Sequence, residues 1–192
     1  IAIVPATDSR DRVSAFIQVE IGLLDGTARL IFGSKFEHNE LSDDEIEIEP
    51  SVRLSVAVAE NQTLWASVSQ AVRMPSRGER GGLVTTGILP PGQPDFPLPV
   101  PTVLLIQGNP GMLSEDVISY EAGYRIRNRE FQFDAAVFYN EFSNLRSLSV
   151  GAATCAPSGV VVLLDPTCLF TSTHVQQPLL ISNDDKYDAM GV

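Results

Sequence analysis

Apolar and polar residues alternate along this chain with a period of two, over runs longer than ten residues. Val13, Ala15, Ile17, Val19 and Ile21 share one face, opposite Ser14, Gln18 and Glu20. Ala28–His38 returns with Leu30, Phe32 and Phe36 against Arg29, Lys35 and Glu37. Ile46–Val58 sets Ile46, Ile48, Val52, Leu54, Val56 and Val58 against Glu47, Glu49, Ser51, Arg53 and Ser55. Leu64, Ala66, Val68 and Val72 oppose Trp65, Ser67, Ser69, Ala71 and Arg73. Ile118, Tyr120, Ala122, Tyr124 and Ile126 oppose Ser119, Glu121, Gly123, Arg125 and Arg127. Glu130–Phe142 closes the set, with Phe131, Phe133, Ala135, Val137 and Tyr139 against Gln132, Asp134 and Asn140. Such a period places one apolar and one polar face on each strand.

The connections between these strands alternate in length. Leu24-Asp25-Gly26-Thr27, Ala59–Thr63 and Asn128-Arg129 are short, and Asp-Gly tolerates the positive φ of a hairpin turn. Longer connections follow His38, Arg73 and Phe142. The Met74–Ser114 connection holds Pro75, Pro90, Pro91, Pro94, Pro97, Pro99, Pro101 and Pro110, a density that predicts neither helix nor inner strand. Val103–Ile106 is its one candidate strand. A second long connection runs from Ser143 to Pro178, and Leu179–Val192 predicts one irregular strand or the start of a pair. Pro50 lies inside a strand, where it removes a ladder donor. Short turns on one side and long loops on the other are the habit of a transmembrane β-barrel, for which a soluble sandwich has no need. The expected fold is therefore all-β: an antiparallel meander of long amphipathic strands, part of a transmembrane barrel and an open curved sheet as it stands.

Composition narrows the partners. The chain has 192 residues, 24 Asp+Glu against 13 Lys+Arg, and a formal net charge of -11. That balance argues against nucleic acid and anionic membrane surfaces. No apolar run reaches the length of a membrane-crossing helix, which leaves strands as the means of crossing. Ile1-Ala2-Ile3-Val4-Pro5 lacks the pattern of a signal peptide, and a secreted barrel needs one, so the chain reads as a fragment.

Two stretches carry a family resemblance. Leu64–Arg77 reads LWASVSQAVRMPSR, and Gly108–Arg146 contains GNP, SED, SYEAGYR and FDAAVFYNEFSNLR. In that order they resemble strand and hairpin passages of TonB-dependent outer-membrane receptors, from about Phe16 onward. The resemblance implies a large plugged barrel of about 22 strands. Residues 1–192 then form part of its wall, with external loops at about 74–114 and 143–178 and the plug domain outside the chain. It implies a Gram-negative outer-membrane location, contact with its lipid, and no enzyme activity or cofactor. It also implies uptake of a ferric siderophore or another scarce nutrient, energised by TonB through the plug. A soluble all-β ligand-binding module, a passive outer-membrane porin and a barrel hydrolase are the rivals.

Individual residues support few sites. Arg73, Arg77 and Arg80 flank the mouth of the long loop, where they attract an anionic chelate or pair with inward acids such as Glu121 or with the plug. Cys155 and Cys168 share one external loop. A disulfide suits an oxidising compartment and is worth roughly 3 kcal/mol, while metal binding and a reactive thiol remain alternatives. His38 and His174 are isolated and read as surface residues. The acidic run Glu37–Glu49 either gathers divalent cations or forms a solvated loop. The glycines of Arg77–Gly82 lack the strand-loop-helix setting of a phosphate cradle. Tyr120, Tyr124 and Tyr139 suit an aromatic belt.

Overall fold

The structure, a computed structural model, describes residues 2–3, 11–40, 46–94 and 97–192. In chain order its elements are β1 (Ala2–Ile3), β2 (Arg12–Leu23), β3 (Ala28–Asn39), β4 (Glu47–Ala59), β5 (Gln62–Arg73), α1 (Arg77–Gly81) and β6 (Gly82–Leu89). There follow β7 (Thr102–Gln107), β8 (Glu115–Arg127), β9 (Gln132–Val150), β10 (Thr154–Ala156) and β11 (His174–Gly191). The chain divides into two compact units: one of residues 1–9, 75–112 and 146–183, the other of residues 10–74, 113–145 and 184–192.

The second unit is the meander that the alternation predicts. Adjacent strands pair antiparallel in the order β2, β3, β4, β5, β8, β9. The register stacks every predicted apolar face on the same side. Val19, Phe32, Val52, Val68, Tyr120 and Tyr139 form one cross-strand row. Ile21, Leu30, Leu54, Ala66, Ala122 and Val137 form the next. The opposite side carries Glu20, Ile31, Arg53, Ser67, Glu121 and Phe138 in one row. A slip of one residue in any pair would interleave the two chemistries, so one-sidedness pins the register.

Among the described residues no core covers the apolar rows. Ile17, Leu54, Val68 and Val137 are 64%, 40%, 45% and 51% exposed. A half-exposed side chain of this kind forgoes half of the about 1.5–3 kcal/mol that full burial gives. A sheet of this kind needs an apolar medium against that face.

The turns follow their sequences. Leu24, Asp25 and Gly26 all have positive φ, which makes the tight reversal between β2 and β3. Asn128 N–H donates to Phe131 O at 2.8 Å between β8 and β9. Pro50 lies where β4 is paired on one side only, with β3, because the β4–β5 ladder starts at Ser51. The proline therefore lies within the β3–β4 ladder but just beyond the end of the β4–β5 one, so its missing N–H falls where one neighbour is absent.

The first unit corrects the reading of the long connections. The stretch 74–114 contains helix α1 and the antiparallel hairpin β6–β7, not featureless loop. Six of its prolines fall between Pro90 and Pro101, at the hairpin's turn, so 82–89 and 102–107 keep their backbone donors. Likewise β9 runs on to Val150, and β11 begins at His174, ahead of Pro178. Within this unit β11 pairs parallel with β7, Val175 to Leu180 against Thr102 to Gln107, while β10 takes its Thr154–Ala156 stretch against His174–Gln176. Met112, Cys155 and Val175 are fully buried here, and Leu105, Ala156 and Cys168 nearly so.

A lysine at Val68, on the apolar face, should destabilise the protein by about 2–4 kcal/mol if that face meets mid-bilayer hydrocarbon. A lysine at neighbouring Ser67 should change stability by less than about 1 kcal/mol. Urea unfolding in phospholipid bilayers measures both, and the reverse ranking rejects the assignment of faces.

Candidate functional site

The built part of the former loop starts at a capping box. Ser76 Oγ accepts from Glu79 N–H at 3.3 Å, and Glu79 Oε2 accepts from Ser76 N–H at 2.7 Å. Reciprocal bonds of this kind satisfy the first donors of a helix, which explains why so short a segment turns at all. Glu79 is buried, with its side chain 6% exposed, and its other oxygen takes Arg146 Nη1 at 2.6 Å. Gly108 packs against this turn. A Cβ there would come within 2.8 Å of Glu79 O, and Asn109 N–H donates to that oxygen at 2.8 Å. Arg80 Nε donates to Pro110 O at 2.8 Å.

The three expected ligand arginines fall on two elements. Arg77 and Arg80 stand on α1 in the first unit, whereas Arg73 ends β5 in the second. Arg73 Nη1 lies 2.7 Å from Glu115 Oε2, across the β5–β8 pair. Glu121 is not its partner; that carboxylate accepts from Ser67 Oγ at 3.3 Å.

The first unit is stapled as well as packed. Cys155 and Cys168 are joined by a disulfide, both buried. Between them, Asp165 Oδ1 accepts from Thr167 N–H at 3.0 Å and starts the short 3-10 turn Pro166–Phe170. Gln177 Nε2 donates to Gly151 O at 2.8 Å, and the Ser147 and Ser182 hydroxyls meet at 2.7 Å. His174 Nδ1 lies 3.0 Å from Thr173 Oγ1 and is exposed at that contact.

Glu37, Glu47 and Glu49 of the acidic run are engaged by neighbouring side chains. Buried Glu37 receives Arg12 Nη2 at 2.8 Å and Lys35 Nζ at 2.9 Å, and the same ammonium reaches Glu49 Oε1 at 2.9 Å. Glu47, also buried, accepts from Ser114 Oγ at 2.6 Å. Asp43, Asp44 and Glu45 lie outside the described residues. Among the described residues no group of three His, Cys, Asp or Glu is placed to hold a metal ion. The tyrosines stay on the apolar face: Tyr120 and Tyr139 stack at 6.1 Å, and Tyr124 Oη donates to Gln62 Oε1 at 2.7 Å.

Sequence reasoning missed Glu79 and Arg146. The signal for α1 was present in Ser76-x-x-Glu79, the spacing of a capping box. Nothing local marks Arg146, which is 67 positions from Glu79. Replacing Glu79 with alanine should destabilise this corner by about 1–2 kcal/mol, since it removes a cap and an ion pair with a half-exposed arginine. Hydrogen exchange should quicken across residues 76–82 and 107–112; unchanged exchange would refute the role given to Glu79.

A family model described as TonB dependent receptor-like, beta-barrel, matches residues 3–187. No curated protein matches the sequence. Among solved structures, a mutant of the ferric enterobactin receptor PfeA of Pseudomonas aeruginosa, in complex with enterobactin, is similar at TM-score 0.69 and 20% identity, over 94% of this chain and 23% of that one. The siderophore receptor PirA of Acinetobacter baumannii is similar at TM-score 0.64 and 20% identity, over 94% and 24%. PirA of Pseudomonas aeruginosa is similar at TM-score 0.67 and 15% identity, over 95% and 30%. The chain thus spans less than a third of the length of each of these proteins.

Proposed function

The chain belongs to the TonB-dependent receptor-like β-barrel family, and from that premise we propose that it forms part of the wall of an outer-membrane active-transport receptor. Residues 1–192 contribute barrel, and the plug and its contact with TonB belong to another part of the protein. The cargo is a ferric siderophore or a similarly scarce nutrient, captured outside the cell and drawn through the barrel with energy delivered by TonB. The host is a Gram-negative bacterium. The protein changes no covalent bond of its cargo.

The observation that carries this reading is the two-sidedness of the meander. One face is a continuous apolar surface without a core, and the other is laced with ion pairs. In hydrocarbon every backbone donor and acceptor needs a partner within the protein, which only a closed sheet supplies. The solved relatives named as enterobactin and siderophore receptors support the choice of cargo. A disulfide between Cys155 and Cys168 suits the oxidising side of such a membrane.

On this reading Arg73, Arg77 and Arg80 draw an anionic chelate toward the outer surface. The receptor with alanine at Arg77 and Arg80 should bind a ferric tris-catecholate about tenfold more weakly, and by less at high salt. Unchanged affinity removes these arginines from the ligand site. Chelate uptake that persists without TonB turns the reading toward a passive porin.

A further inference from the structure

Strands β4 and β5 diverge at one end of the meander. Their ladder begins at Ser51 with Ser69, whereas β4 stays paired with β3 as far as Glu47, and β5 with β8 as far as Arg73. Pro50 stands at the fork and has no N–H with which to continue the ladder. Beside the fork lies a concavity of about 600 Å³, at the end from which the long connections leave. Ile48, Gln70, Asp116 and Ile118 line it, each an even number of positions from Val52, Val68 or Tyr120. They therefore share the apolar side of the sheet. The concavity opens where the apolar rows give way to polar residues, on the side that the proposed function turns toward lipid.

The polar groups of the lining meet one another. Gln70 Nε2 donates to Asp116 Oδ1 at 3.3 Å, and Asn144 Nδ2 donates to Asp116 Oδ2 at 3.4 Å. Ser114 Oγ donates to Glu47 Oε1 at 2.6 Å. Both amide bonds to Asp116 are long, and each oxygen has a second lone pair for another donor. The lining holds no lysine, arginine or histidine. Ile48 and Ile118 supply apolar wall between the polar groups.

We propose that this concavity seats the uncharged sugar headgroup of a glycolipid whose acyl chains lie along the apolar rows. A sugar ring is apolar on its C–H faces and carries hydroxyl donors and acceptors around its rim. The isoleucines suit the faces. Asp116 accepts from the rim hydroxyls, while Gln70, Asn144 and Ser114 can both donate and accept. A phosphate headgroup would meet two carboxylates and no cation here, so charge turns it away. The site is continuous with the rows assigned to hydrocarbon, and the inference rests on that reading of the apolar face.

The test places the whole protein, labelled with ¹⁵N at glutamine and asparagine, in phosphatidylcholine nanodiscs. The side-chain amide resonances of Gln70 and Asn144 report on the site. Monoglucosyl diacylglycerol added to the bilayer should shift both with saturation. Phosphatidylglycerol, phosphatidylethanolamine and free glucose in matched amounts should not. Asp116→Asn should raise the half-saturating fraction of glycolipid about tenfold, because a charged acceptor is lost. Asn144→Gly should raise it too, and glycine tolerates the φ of 55° found there. Ser119→Ala, on the opposite side of the sheet, should respond as the parent does. No saturable shift, an equal shift with any of the three controls, or a parental response in both site variants overturns the proposal. A label at Val68 in the same nanodiscs separates the two readings. Its quenching by brominated acyl chains without an amide response removes the sugar site alone; no quenching removes the membrane reading beneath it.

Discussion

Everything in the meander depends on the pairing of backbone groups between long strands whose side chains differ on the two faces. A strand rises about 3.3 Å per residue, so elements of a dozen residues cross the apolar thickness of a membrane even when tilted. The ladders from β2 to β9 satisfy their backbone groups pair by pair. With the backbone settled, the side chains decide what each face meets. Among the described residues most of the apolar rows running from Val19 to Tyr139 and from Ile21 to Val137 stay exposed. Stability on that side must come from the surroundings rather than from a core.

The first unit follows a different rule. It has buried apolar residues, a disulfide and a capped helical turn, drawn from the stretches between long strands and from the start of β11. These segments are ordered by ordinary burial and by specific polar contacts such as Glu79 with Arg146. Its β7–β11 pair is parallel, whereas the ladders of the meander are antiparallel.

The strands of the meander were legible because period two is a strong signal and because one face is uniformly apolar. Even the cross-strand rows follow once the short turns at Asp25-Gly26 and Asn128 set the register. Proline count misled in the stretch 74–114, since position matters more than number: the prolines collect at the β6–β7 turn and spare both arms. The partners of Arg73, Glu79 and Trp65 lie on strands distant in sequence, so no local pattern could pair them. Arg73 ends β5 beside Glu115, while Arg77 and Arg80 stand on the turn that Ser76 caps, a division set by contacts distant in sequence.

The most direct test of the account is the depth and environment of single labels in a lipid bilayer. Fluorophores placed in turn at Leu54, Val68 and Val137, and at Arg53, Ser67 and Glu121, would be exposed to lipids with brominated acyl chains and to iodide in the water phase. The account predicts acyl-chain quenching for the first set and iodide quenching for the second. Iodide quenching of the first set with no effect of brominated lipid would contradict it.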